Sequence, residues 1–420
     1  MPKLEALDGL RAIPRTLAHP NFGTYVAGNS VSLVGTWMQR IGVGWLAWEL
    51  TGSGALLGLV AFADLFPAVV VAPFGGAIAD RADRRRLMIV AQTLVMGQAF
   101  ALFALTATGL ITPTLLVLLS LFNGVVIGFN QPARLALVPS LVPRADLPTA
   151  VAINSIVFNL ARFVGPALAG VTIVTAGVAG VFAANGLSYL AFLLALTRIR
   201  PDWAPPEQRP GADRAPLLAV VREGVIYAVR HPGIGPMLLL HTALAITVRP
   251  FIELLPGFAA DVFGRGAPGL ATLGSTVGVG AVFGGLWLAQ RGRAAGGTRL
   301  ALASALLVVL SVLAFAATRN FVVAVLAVAV AGFGMVATGV ATQTLIQITV
   351  TDAMRGRVLS LYGLIFRGGP AVGALAIGAA SEWVGLQAPL AAGAALALLA
   401  WLPIWRRRER IGRHLGEDGP

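Results

Sequence analysis

The chain has 420 residues, 57% of them apolar and 12% charged, with a mean hydropathy of +0.82. A soluble domain runs near 45–50% apolar and about 25% charged, so this composition excludes one, and it excludes disorder as well. With no cysteine there is no disulfide, Fe–S cluster or thiolate chemistry, and the net charge of +13 means little until its cations are placed along the chain.

Taken in order, Met1 to Asn21 is polar and lacks the apolar core of a cleaved signal peptide. Apolar runs of about 20 residues then predict spanning helices over 24–48, 55–78, 87–107, 113–133, 150–174 and 178–197. Six more follow over 234–256, 268–289, 299–317, 321–345, 357–380 and 386–405. The expected fold is an all-α, polytopic membrane protein with twelve transmembrane helices in two pseudo-symmetric six-helix bundles. Its parts are a cytoplasmic N-terminal segment (1–22), an N-terminal bundle (23–197), a linker (198–233), a C-terminal bundle (234–405) and a cytoplasmic tail (406–420). The linker holds six arginines and, from Pro201 to Pro216, five prolines, and its Leu217–Arg230 stretch has the helical apolar spacing of an amphipathic surface helix.

Of the 31 Lys and Arg, 25 fall in segments on the side of the N-terminus and only Arg265 and Arg319 on the other. Both termini are therefore expected in the cytoplasm. Basic charge in this pattern is a topology signal, so no nucleic-acid partner is expected; the surrounding partner is the lipid bilayer.

Four arginines, Arg40, Arg162, Arg249 and Arg367, lie within spans, as do Asp64 and Glu253. Each ionisable group costs about 2.5–3.5 kcal/mol at mid-membrane on insertion scales, which makes it a functional candidate, here for proton coupling. Asp64 is the lone deep carboxylate of the N-terminal half. Its plainer alternative is a structural partner for Arg40 or Arg162. Arg249 and Glu253, four apart, share a helix face and can pair, while Pro250 and Pro256 predict a broken helix there. Asn29, Trp37, Gln39, Phe62, Asn123, Asn154, Phe158, Gln343, Gln347 and Phe366 are candidates to line a cavity for an amphipathic solute. Interhelical hydrogen bonding explains the amides equally well. His241 reads as a hydrogen-bonded helix residue. No P-loop, HExxH or Ser-His-acid cluster is present, so no enzyme chemistry, metal or cofactor is expected.

The halves echo each other. Gly75-Gly76 precedes a basic loop as Gly284-Gly285 does, at an offset of 209, and Arg162-Phe-Val-Gly165-Pro166 is echoed by Arg367-Gly-Gly369-Pro370 at 204. Paired repeats around a midplane cavity are a secondary-transporter plan.

Gly75 to Arg86 resembles the loop motif of the major facilitator superfamily, Gly-x-x-x-Asp-Arg-x-Gly-Arg-Arg/Lys. Gly76, Asp80, Arg81, Arg84 and Arg85 match, and Asp83 stands where Gly is usual. The resemblance implies a conformational latch at the cytoplasmic seam. The fifth span is similar to the superfamily's exporter-type motif: Gly165, Pro166 and Gly170 match, while Ala152, Ala161 and Ala169 replace glycines. With Gly35 to Arg40, Gln131-Pro132-Ala-Arg134, Pro139, Leu141 to Arg144 and Asn154, the chain is similar to a bacterial branch of siderophore and macrolide exporters. That implies a proton-coupled antiporter of the bacterial cytoplasmic membrane, a monomer exporting small amphipathic molecules. A lipid flippase and a non-transporting receptor on the same fold are the alternatives.

Overall fold

The computed structural model describes residues 12–79, 83–200, 217–291 and 297–416. Asp80 and Arg81 lie outside these. The first unit of the chain contains α1 (Pro20–Thr51), the second half of α2 (Gly54–Ala79), α3 (Arg84–Ala107), α4 (Pro113–Leu137) and α5 (Leu147–Arg198). The linker helix is α6 (Leu217–Arg230), over the stretch the sequence predicts. Beyond it come α7 (Ile234–Thr247), α8 (Phe251–Gly257), α9 (Gly266–Arg291), α10 (Gly297–Ala317), α11 (Phe321–Thr349), α12 (Asp352–Val384), α13 (Gln387–Arg406) and the short α14 (Arg408–His414).

Local chemistry sets these boundaries. Asp83, Thr112 and Asn320 cap α3, α4 and α11, each accepting backbone N–H bonds that a helix start leaves unmet, and Pro113 follows Thr112 where no donor is needed. Gly385 ends α12 at φ 75, which disfavours any side chain. α5 is 52 residues long but breaks at Gly177, with φ 70 and ψ 174, so it holds two spans. Among the described residues, ten helices are long and apolar enough to cross a membrane, with the 144–198 stretch counted once. α1, interrupted by Asn29, Gln39 and Arg40, completes the twelve. Large apolar side chains remain exposed along the spans, such as Val171, Val174 and Leu399, as a lipid-facing surface requires.

In contact terms the chain divides into 1–51 with 66–208, and 52–65 with 209–420. A border at 197–234 puts all of α2 in the first bundle. Instead its first half, Gly54 to Leu65, packs on α12 in the second unit. Gly58 meets the Ala374 carbonyl there, and the Glu382 carboxylate accepts hydrogen bonds from the Ser53 hydroxyl (2.8 Å) and the Ala55 N–H (2.9 Å). In that same unit α6 lies against the start of α12, with buried Gly224 facing the Arg357 backbone and Glu223 paired with Arg357.

The first unit is organised by α1 against α5. Gly28, Gly35 and Gly42 recur every seven residues and meet Ala195, Ser188 and Val181, spaced by seven in the opposite direction. Small residues let two backbones approach where lipid supplies no hydrophobic drive between helices. A Cβ at Gly35 would collide with Ser188 and sit 2.5 Å from Asn185 Oδ1. Gly35→Val is therefore expected to cost about 1–3 kcal/mol or more and to depress the melting temperature and folded yield. Gly97, exposed on α3 with nothing within 4 Å of its Cβ position, makes the contrast. Gly97→Ala is expected to raise stability by about 0.5–1 kcal/mol, seen in the same detergent melts.

At the start of the chain the Asp146 carboxylate is buried between His19 Nε2, 2.9 Å away, and the Arg15 guanidinium. Hydrogen bonds from His19 first, then from Arg15, hold its pKa below the usual carboxylate value. A depressed folded value makes this a contribution present above the unfolded pKa near 4 and lost as pH falls through the folded one. Asp146→Asn is accordingly expected to lower the melting temperature at pH 7, with the gap to the wild type closing below about pH 4.

Candidate functional site

Two clusters of aromatic and guanidinium groups lie inside the two units. In the first, Trp37 of α1 packs edge-on against Phe158 of α5, ring centroids 5.9 Å apart at 72°. The Arg40 and Arg162 guanidinium carbons lie 5.3 and 5.8 Å from the Trp37 ring centroid. Asn154, Phe158 and Arg162 recur every four residues and so share one face of α5. Trp37 and both arginines are half-buried, while Phe158 is exposed.

In the second unit, His241 of α7 stacks on Tyr362 of α12 at 4.4 Å and 23°, and lies 6.0 Å from Phe366 at 8°. The Arg249 guanidinium sits 3.9 Å over the Phe366 ring, and its Nη1 donates to the Phe366 carbonyl at 3.2 Å. Tyr362 donates its hydroxyl proton to the Gly339 carbonyl at 3.0 Å. His241 is buried, and its Nε2 has no hydrogen-bond partner.

Two ring positions of the clusters correspond in the repeat, while the arginines do not. At the offset of 204 that relates Gly165-Pro166 to Gly369-Pro370, Trp37 corresponds to His241 and Phe158 to Tyr362. The glycines that carry the repeat pack alike. Gly165 meets Trp37 on α1, and Gly369 meets Ala245 on α7; Gly75 meets the Gly128 carbonyl on α4, and Gly284 the Phe333 carbonyl on α11. Gly165, Pro166 and Gly170 are all buried, and close helix packing accounts for Gly165. Cation–π contacts of this kind are worth about 0.5–2 kcal/mol, and each cluster exposes one phenylalanine ring, Phe158 or Phe366.

The expected helix break falls at Val248–Pro250, between α7 and α8, and the π-helical turn Phe258–Val262 follows. Arg249 lies in the Val248–Pro250 turn. Half-buried Glu253 opens α8, and half-buried Asp64 lies in the first half of α2 with Phe62 two residues before it. Arg367, Gln343 and Gln347 are exposed on α12 and α11.

The amides divide into two groups. Gln39 is buried in a chain that crosses the first unit, donating to Gln98 (2.9 Å) and accepting from Asn185 (2.8 Å), whose own oxygen accepts from Ser188. It serves interhelical bonding and not a cavity wall. Asn29 is 1% exposed, and neither side-chain polar atom has a partner; Asn154 Oδ1 is likewise buried without one, and Asn123 is half-buried. Sequence reading missed Gln98, Asn185 and Tyr362. The offset of 204 was the signal for Tyr362, since it carries Phe158 there.

Of the loop motif, Gly76, Arg84 and Arg85 are described. Asp83, the departure from the family pattern, has extended backbone (φ −60, ψ 109) and caps α3 by accepting from Arg85 N at 2.9 Å and Arg86 N at 3.2 Å. Its conformation needs no glycine. Arg84 donates to the Ala136 carbonyl near the end of α4 (3.0 Å), and Arg85 to the Leu196 and Thr197 carbonyls ending α5 (2.6 and 2.7 Å). Cations there satisfy orphan carbonyls at the negative end of each helix dipole.

Known proteins agree with this architecture. Residues 15–412 match the family described as transmembrane secretion effector. The chain is 27% identical over 368 residues to the enterobactin exporter EntS of Shigella boydii, covering 86% of this chain and 85% of that protein. Similarity to the staphyloferrin A transporter of Staphylococcus aureus is 27% over 174 residues, 41% of this chain and 44% of that one. Among solved structures, the nucleoside transporter NupG superposes with a TM-score of 0.70 at 14% identity, covering 93% of this chain and 98% of that chain. A bacterial homologue of the human lysosomal transporter Spinster gives 0.67 at 15%, covering 95% and 98%. At such identities the structural likenesses speak for the fold alone. With the family match running nearly from end to end, this chain belongs to the transmembrane secretion effector family, multi-pass membrane transporters of the major facilitator superfamily.

Proposed function

We propose that this protein is a proton-coupled antiporter that exports a small amphipathic molecule with planar, anionic character, closer to a siderophore than to a cationic drug. The observation that carries this reading is the pair of aromatic and guanidinium clusters, Trp37 with Arg40 and Arg162, and His241 with Tyr362, Phe366 and Arg249. Each has an exposed phenylalanine ring, Phe158 or Phe366, for stacking and a guanidinium for a carboxylate or phenolate. Within the spans four arginines face two carboxylates, Asp64 and Glu253, an excess that favours an anionic solute. Export is supported by the similarity to exporters of the same family over most of the chain.

Asn29, Asn123 and Asn154 add polar contacts, and Phe62, Gln343 and Gln347 complete the set of candidate substrate residues. Asp64 takes up the proton, with Glu253 as its alternative. Gly76, Asp80, Arg81, Arg84 and Arg85 form the latch of an alternating-access cycle. The protein lies in the bacterial cytoplasmic membrane as a monomer with both termini in the cytoplasm, in keeping with the distribution of its arginines.

Everted membrane vesicles test this. Catecholate and carboxylate siderophores, cationic dyes and lysophospholipids are offered with and without an uncoupler. Uncoupler-sensitive uptake of an anionic siderophore is expected. Uptake of cationic dyes alone would refute the substrate class, and uncoupler-insensitive movement of lysophospholipid would make the protein a flippase.

A further inference from the structure

The second unit carries a cavity of about 590 Å³ where α9 ends, α10 begins and α11 passes. Its walls are apolar, with Trp287 of α9, Leu300 and Leu307 of α10 and Phe333 of α11, and the rings of Trp287 and Phe333 lie 5.4 Å apart. Two arginines stand at one end. Arg291, the last residue of α9, lies 5.4 Å over the Trp287 ring, and Arg299 occupies the first turn of α10. A cation in the first turn opposes the helix dipole, and no acidic residue in that turn offsets it. The Arg299 partner is Glu409 of α14 at 3.5 Å, and both side chains are about two-thirds exposed, so the pair is weak and open to displacement.

We propose that this groove binds an anionic phospholipid of the surrounding bilayer, with its phosphate between Arg291 and Arg299 and one acyl chain along Leu300 to Leu307. That stretch of α10 runs about 10 Å, from the charged mouth toward the middle of the span. Charge complementarity selects this occupant. A free anion has no use for the apolar floor, and a purely apolar partner would bury two guanidinium groups without compensation. Trp287, beside the mouth, has the amphipathic character that places tryptophan at headgroup level. The mouth lies at the end where basic residues concentrate, the side on which anionic lipid draws juxtamembrane cations.

The test uses the full-length protein, purified and stripped of lipid, then titrated with phosphatidylglycerol, phosphatidylcholine or inorganic phosphate. Binding is read by native mass spectrometry and by melting temperature. Phosphatidylglycerol is expected to remain bound and raise the melting temperature, while the other two do neither. Arg291→Gln and Arg299→Gln should each weaken retention about fivefold, and together roughly thirtyfold. Arg319→Gln, at the far end of α10, should leave it unchanged. Ala303→Trp fills the groove with both charges intact and should abolish binding. Glu409→Gln, which frees Arg299, should tighten it severalfold. Equal retention of phosphatidylcholine, full reproduction of the effect by phosphate alone, or wild-type binding in Ala303→Trp would overturn the proposal.

Discussion

Trp37→Ala and His241→Ala are each expected to reduce export about tenfold or more while the folded yield stays close to that of the wild type. The two rings correspond through the repeat; Trp37 lies beneath Arg40 and Arg162, and His241 stacks on Phe366, over which Arg249 sits. Removing Trp37 takes away its contact with Phe158 and the ring beneath Arg40 and Arg162. Removing His241 takes away its stacking on Tyr362 and Phe366, the ring over which Arg249 lies. Such contacts are worth about 0.5–1.5 kcal/mol each. Trp37→Phe keeps a flat face and should retain most activity, as should His241→Phe, because the His241 Nε2 makes no hydrogen bond that phenylalanine would forfeit. The measurement is initial-rate siderophore uptake into everted vesicles, normalised to protein resolved by gel filtration. A loss confined to KM would mark ground-state binding. If both alanine variants transport at the wild-type rate, the clusters are packing elements and the substrate assignment falls. Losing His241→Phe alone would mean that the imidazole acts through its protonation and not its stacking.

The spans were legible because a membrane helix states its length in apolar residues, and a break states itself in proline and glycine. Pro250 announced the turn at Val248–Pro250, and the gap read between 174 and 178 is the positive-φ Gly177. Partners were less legible. Gly28, Gly35 and Gly42 recur every seven residues in plain view, yet nothing in α1 alone says that they meet Val181, Ser188 and Ala195. Gln39 has the composition of a cavity residue and is instead consumed by Gln98 and Asn185, a choice made by which helices become neighbours. The division of α2 has the same origin. Gly54 and Gly58 permit close approach on one face, and only tertiary structure shows that α12 makes it. His241 went unvalued because a single histidine carries no spacing; its meaning comes from the correspondence with Trp37.

Asp64→Asn is expected to abolish accumulation driven by the proton gradient while preserving exchange of labelled for unlabelled substrate. Asp64 is the one carboxylate deep in the N-terminal spans, half-buried in α2 two residues before the point at which the helix passes from one contact unit to the other. A carboxylate there is costly to hold charged, so its protonation state and the conformation of its surroundings bias one another. If protonation favours one facing state and substrate the other, each ligand weakens the other's binding by the same factor, which is what antiport requires. Asparagine keeps the shape and removes the titration. Exchange moves no net proton and should survive, while net uptake against a gradient should not. Both are measured in one preparation of everted vesicles, with an imposed pH step for the first and preloaded substrate for the second. Wild-type pH dependence in the variant would transfer the role to Glu253, at the start of α8. Loss of both activities at normal folded yield would make Asp64 a substrate contact or an ion-pair scaffold, and the coupling assignment would then fail.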